Sequence, residues 1–141
     1  MNIYLVRHGE ASASWGESQD PGLSVLGWQQ ARESAALLLP SVGQDTMILS
    51  SPLLRARQTA EPLASQLRIE VQEVEAFREI PAPVPLAQRQ LWLREFMHQD
   101  WNCQDNALKA WRNAAIEHLL GVDRVVAVSY THLTLPTSDL V

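Results

Sequence analysis

Arg7 and His8, followed at once by Gly9, stand directly after the strand-forming run Ile3–Val6, and a second arginine, Arg55, lies shortly beyond an apolar run ending in Ser50 and Ser51. Arginine presents a planar fork of donors that matches phosphate oxygens, so a histidine held between two such forks would face a phosphoryl group for in-line attack. Nearby positive charge disfavours imidazolium, which keeps His8 neutral and nucleophilic near neutral pH. Gly9 would let the backbone turn closely there. Taken singly, each of these residues also reads as ordinary surface: Arg7 and His8 as a solvated loop, Arg55 as an exposed helix position. The choice depends on the elements that carry them.

Those elements can be read from periodicity and punctuation. Asn2–Val6 reads as a buried strand, and Ser24 as the cap of a helix over Val25–Leu39. "TMILSS" at 46–51 reads as a second strand leading into Pro52, which suits the first turn of a helix, with Ser51 as its N-cap. That helix runs through "LLRARQTAEPLASQL", places Arg55 in its first turn near the anion-attracting amino end, and is open to a kink at Pro62. "IEVQEV" at 69–74 alternates like a third strand. "IPAPVP" at 80–85 is an extended connector, since its prolines lack the donors of a helix or central strand. "LAQRQLWLREFMHQDW" and "DNALKAWRNAAIEHLLG" read as amphipathic helices, the second closed by Gly121, and "RVVAV" at 124–128 as a fourth strand. Strands alternating with helices predict an α/β fold, a mostly parallel sheet with helices on both faces. In such sheets ligands bind beyond the carboxyl ends of the strands, where Arg7, His8 and Gly9 stand.

Composition narrows the function classes. A chain of 141 residues is most simply one domain, and its apolar runs, such as Ala35–Leu39, are far too short to cross a bilayer. No secretion signal is visible, so a cytoplasmic location is expected. The formal charge of −5, with basic residues scattered singly, excludes the footprint of a nucleic-acid binder. Cys103, the single cysteine, has no ligand partner at metal spacing and reads as a buried or inert thiol. Trp92, Trp101 and Trp111 fit helix faces that pack on a core, whereas Trp15 or Trp28 could line a pocket mouth.

Three stretches, "LVRHGEA", "LSVLGWQQA" and "SSPLLRARQTAEPLA", occur in the order and spacing of the histidine phosphatase superfamily, which includes the phosphoglycerate mutases, and the chain resembles that family. The resemblance implies a phosphomonoester or phosphohistidine hydrolase in which His8 attacks phosphorus, Arg7 and Arg55 hold the phosphoryl oxygens, and a carboxylic acid protonates the leaving oxygen. It implies no metal and no cofactor, and an anionic phosphorylated small molecule or phosphoprotein as partner. For the acid, Glu79 in "FREIP" is expected, with Glu73 and Glu75 as alternatives. Glu10 is as consistent with a surface or supporting role as with catalysis, and Ser12 and Ser14 could add hydroxyl contacts. Ala11 stands where mutases carry Ser or Thr, which favours the small phosphohistidine phosphatases over a mutase. Residues 80–103, with Arg89 and Arg94, either set specificity or form a solvated helix face. A mutase-type phosphotransferase and a non-catalytic phosphate-binding module are the alternative functions.

The resemblance also implies a second catalytic histidine, followed by glycine, after the fourth strand, and here the chain reads "VSYTHLTLPTSDLV". In a continuous strand His132 would lie two residues, roughly 6–7 Å, beyond that place. The same stretch can be encoded by codons that resemble a transposase adapter used in sequencing libraries. The domain is therefore expected to occupy 1–126 and to be incomplete at its C-terminal end. Residues 127–141 are then read-through that is not native, and the fragment itself is weak or inactive.

Overall fold

The computed structural model describes residues 2–12, 20–121 and 123–129. Its elements alternate as β1 (Asn2–Arg7), α1 (Val25–Leu38), β2 (Met47–Ser50), α2 (Leu54–Leu67), β3 (Val71–Glu73), α3 (Arg89–Phe96), α4 (Asn106–Leu120) and β4 (Arg124–Ser129). Among the described residues the strands form one parallel sheet in the order β1-β4-β2-β3. The α/β fold with helices on both faces is therefore present. No helix among these residues is long and apolar enough to cross a membrane.

Strand periodicity explains the two-sided core. Ile48, Val126 and Val128 turn to one face, where Ala35 of α1 and Ala56, Ala60, Leu63 and Ala64 of α2 cover them. Leu49, Val125 and Ala127 turn to the other, against Ala115 and Leu119 of α4. Small residues dominate α1 and α2 where they meet the sheet, so both helices lie close to the strands and to each other. A third cluster of Ile80, Phe96, Trp101 and Leu108, flanked by Trp92 and Trp111, packs beside the sheet core. Its rings stack between Trp92 and Phe96 at 5.1 Å and meet edge-on between Phe96 and Trp101 at 5.3 Å. The three tryptophans expected in a core are there.

Several expectations need correction. Asn2–Val6 is not a buried strand: β1 pairs only with β4 among the described residues. Tyr4 and Val6 pack toward α1 and α2, but α4 covers β4 and β2 rather than β1, so Ile3 and Leu5 are exposed by 38% and 42%. Ser51 does not cap α2, and Pro52 precedes the helix. Leu53 takes the N-cap position with no side-chain bond of its own, and Asp20 instead accepts from the Leu54 N–H at 2.9 Å from across the chain. Pro62 leaves α2 one uninterrupted helix. α3 is eight residues long, shorter than the sixteen-residue amphipathic pattern suggested, because the chain turns after Phe96 and tucks Trp101 back onto that ring. Cys103 closes that short turn and is exposed rather than buried. β3 spans Val71–Glu73 only. β4 spans Arg124–Ser129, one residue beyond the expected 124–128, with Ala127 and Val128 buried and paired to Leu5 and Val6. His132, Ser14 and Trp15 lie outside the described residues.

The N-terminus of α1 forms as the sequence indicates, with the Ser24 hydroxyl accepting from the Gly27 N–H at 3.0 Å. Gly27 itself faces the loop after β1 so closely that a Cβ there would stand 2.2 Å from the Glu10 carbonyl oxygen. Gly27→Ala is therefore expected to cost about 1–3 kcal/mol of stability, through overpacking that only a backbone shift can relieve. Urea unfolding of the two proteins measures it, and a change within error would show that the loop yields freely.

Candidate active site

His8 follows β1 at the carboxyl end of the sheet, two residues beyond Val6, which shares its register through Val128 with Ser50 at the end of β2. Its Nδ1 lies 2.7 Å from the Gly9 carbonyl oxygen, and the Arg55 Nε–H points at its Nε2 at 3.3 Å. A carbonyl can only accept and a guanidinium can only donate, so both contacts select the same neutral tautomer, with the proton on Nδ1 and the lone pair on Nε2. Burial pushes the imidazole pKa below its ordinary value; the bond to the Gly9 carbonyl works the other way, and the charges of Arg55 and Arg7 lower it further.

Two helices hold this loop. The Gly9 N–H donates to Thr59 Oγ1 at 2.9 Å, and the same hydroxyl donates to the Arg55 carbonyl at 2.7 Å, which ties the loop to the first two turns of α2. Gln58 Oε1 accepts from the Leu23 N–H at 2.7 Å. On the α1 side, Glu10 accepts from the Ser24 hydroxyl at 2.8 Å, and its N–H donates to Gln30 Oε1 at 2.9 Å. Glu10 thus fastens the loop to α1 from an exposed position. Thr59, Gln58 and Asp20 were not singled out in the sequence. The spacing of Thr59 four residues after Arg55, on one helix face, is the signal that would have found it.

Arg7 ends β1, exposed, close enough to add its charge to the potential at His8. Glu79 lies against Arg55 and Arg89, its carboxylate largely buried. Its Oε2 stands 3.9 Å from Arg55 Nη2 and 3.1 Å from Arg89 Nη2, while Oε1 is buried with no hydrogen bond. Arg7, His8, Arg55 and Glu79 therefore converge, and Arg89 joins them. Glu73 and Glu75 are engaged elsewhere, in exposed pairs with Arg57 at 3.4 Å and Arg78 at 2.6 Å. Arg94 is exposed on the last turn of α3, and Ser12 contributes a backbone bond to the Gly22 carbonyl. Trp28 is half-buried on α1. Among the described residues no group of three or more His, Cys, Asp or Glu side chains gathers as metal ligands would. Three guanidinium groups against one imidazole and one carboxylate leave a balance of charge that favours an anion.

Residues 3–123 match the histidine phosphatase superfamily (branch 1). The chain belongs to that superfamily. No curated protein matches it in sequence. Among solved structures, this histidine phosphatase superfamily member is similar to the mycobacterial glucosyl-3-phosphoglycerate phosphatase, with 25% identity, a TM-score of 0.63, and coverage of 92% of this chain and 73% of that one. It shares its fold with a phosphoserine phosphatase from Entamoeba histolytica solved with 3-phosphoglyceric acid, at 24% identity, TM-score 0.62 and coverage of 91% and 73%. A putative phosphohistidine phosphatase from Agrobacterium tumefaciens is similar too, at 20% identity, TM-score 0.60 and coverage of 93% and 70%.

The lowered pKa of His8 makes a signed prediction. As pH falls, the unfolded chain takes up its proton at the ordinary histidine value while the folded site still refuses it. This group therefore withdraws stability from about pH 6.5 down to its lowered pKa, and contributes no change above. In an NMR titration the His8 ring is expected to titrate below about 6.5, and Arg55→Gln to move its midpoint upward. A midpoint at or above the ordinary value would contradict this electrostatic account.

Proposed function

We propose that this member of the histidine phosphatase superfamily hydrolyses phosphomonoesters or phosphohistidine through a phosphoryl group carried on His8. The observation that carries the reading is the orientation of the imidazole: Nδ1 is committed to the Gly9 carbonyl and Nε2 points at Arg55, a group that binds phosphoryl oxygens. In the first step the Nε2 lone pair forms a bond to phosphorus while the bond to the leaving oxygen breaks, and that oxygen takes a proton from Glu79. In the second step water attacks phosphorus, gives a proton to the Glu79 carboxylate, and inorganic phosphate leaves as the bond to Nε2 breaks. Arg7 and Arg55 hold the phosphoryl oxygens throughout, so catalysis is positioning plus charge stabilisation and calls for no metal or cofactor. The ligand is then an anionic phosphorylated small molecule or phosphoprotein.

Hydrolysis is favoured over a mutase by Ala11 and by the phosphatases among the structural neighbours. The reading of residues 127–141 as adapter-derived belongs to the same proposal, and with it slow turnover by the chain as it stands. A long read of the source DNA across codon 126, prepared without tagmentation, is expected to continue into Ser or Thr, His and Gly. A frame that ends at Val141 would refute that part.

The phosphoenzyme is the direct test. Incubation with radiolabelled phosphoryl donor and rapid quenching is expected to give acid-labile, base-stable label on the wild-type chain and none on His8→Ala. Label of unchanged stoichiometry on His8→Ala would remove His8 as the nucleophile.

A further inference from the structure

Glu79 begins a segment that cannot hold itself in place. The connector that follows, "IPAPVP", carries prolines at 81, 83 and 85, which offer no N–H to anchor the backbone. The carboxylate therefore depends on contacts from outside the connector. One side chain supplies two of them: Nη2 of Arg89, the first residue of α3, donates to the Ile80 carbonyl at 2.8 Å and stands 3.1 Å from Glu79 Oε2. Both partners of that ion pair are more than four-fifths buried. Behind the clamp, Ile80 is fully buried against Phe96, Trp101 and Leu108, so the carbonyl that Arg89 grips is itself fixed.

The clamp also distinguishes the two carboxyl oxygens. A guanidinium has donors only, so Oε2 must accept from it and cannot present a proton in that direction. Oε1 is buried and makes no hydrogen bond, and is the oxygen left for a proton. We propose that Arg89 is a positioning residue, which holds Glu79 through Oε2 and the Ile80 carbonyl so that its carboxyl group delivers the proton to the leaving oxygen. The proposal rests on the phosphatase reading above and adds to it the residue that sets the geometry of the acid.

General-acid catalysis matters only where the leaving group needs a proton, and this separates a positioning role from a structural one. Single-turnover hydrolysis, with enzyme in excess, is compared for phenyl phosphate and for dinitrophenyl phosphate, whose leaving group departs as a stable anion. Arg89→Gln is expected to slow phenyl phosphate roughly tenfold or more and dinitrophenyl phosphate by less than about twofold, the pattern also expected of Glu79→Gln. Arg89→Lys, which keeps the charge but not the fork, is expected to recover part of the loss. Equal losses on both esters, or a rise in KM with kcat unchanged, would overturn the positioning role. Selectivity between esters in Glu79→Gln but not in Arg89→Gln would overturn it while leaving the phosphatase reading intact. A chain continued in its native frame beyond codon 126 and still inert toward both esters would overturn the two together.

Discussion

Two backbones touching without side chains between them fix the geometry of this site. A Cβ on Gly9 would stand 2.6 Å from the Gly27 carbonyl, and one on Gly27 would stand 2.2 Å from that of Glu10, so the loop after β1 rests directly on the first turn of α1. The opposite side of the loop is tied to α2, where Thr59 accepts from the Gly9 N–H. Between these supports His8 has little room to drift, and Arg55, one turn before Thr59 on the same helix, arrives at Nε2 as a consequence. The remote cap that Asp20 places on Leu54 joins the start of α2 to the segment before α1. His8 and Arg55 thus belong to one assembly of β1, α1 and α2.

That assembly resolves a conflict built into phosphoryl transfer. The charges needed to hold a phosphoryl dianion also repel a proton from the imidazole, so one arrangement secures both binding and a usable lone pair. Burial is the larger influence on His8, and it acts in the same sense as the arginines. Glu79 sits against Arg55 without displacing it from His8, since the carboxylate meets Nη2 while Nε faces the imidazole. A guanidinium fork is what permits both contacts, and a lysine in its place would have to choose.

How far the sequence discloses this depends on the range of the interaction concerned. Ser24 and its helix, the residues that share each face of the sheet, and Arg55 in the first turn of α2 follow from relations over two to four residues, which periodicity reports. The exposure of β1 does not, because alternation shows which side chains share a face and says nothing of how many strands or helices lie alongside. Local capping rules point to Ser51 as the start of α2 because they cannot anticipate a carboxylate from Asp20, thirty-four residues away. Periodicity overstates the length of α3 because Phe96 and Trp101 continue an apolar pattern that the structure satisfies by folding back rather than by more helix. The convergence of Arg7, His8, Arg55 and Glu79 was suggested by motif order, whereas the partner of Glu79 is ten positions away across prolines that transmit no period.

Glu79, the proposed acid, stands on different foundations from His8, the proposed nucleophile. Its two neighbours in the chain are each gripped by a different element: the Trp111 Nε1–H of α4 donates to the Arg78 carbonyl at 3.3 Å, and Arg89 of α3 takes that of Ile80 at 2.8 Å. Trp111 packs against both the sheet core and the aromatic cluster, so Glu79 occupies the seam between them. Hydrogen bonds on both sides of one residue remove the freedom to swing that a proline-rich segment would otherwise leave it. In the proposed mechanism the arrangement separates two tasks: α1 and α2 would fix where phosphorus is attacked, and the aromatic cluster where the leaving oxygen meets its proton. A change within the cluster can therefore alter how the leaving group is served while the His8, Arg55 and Thr59 contacts stay as they are.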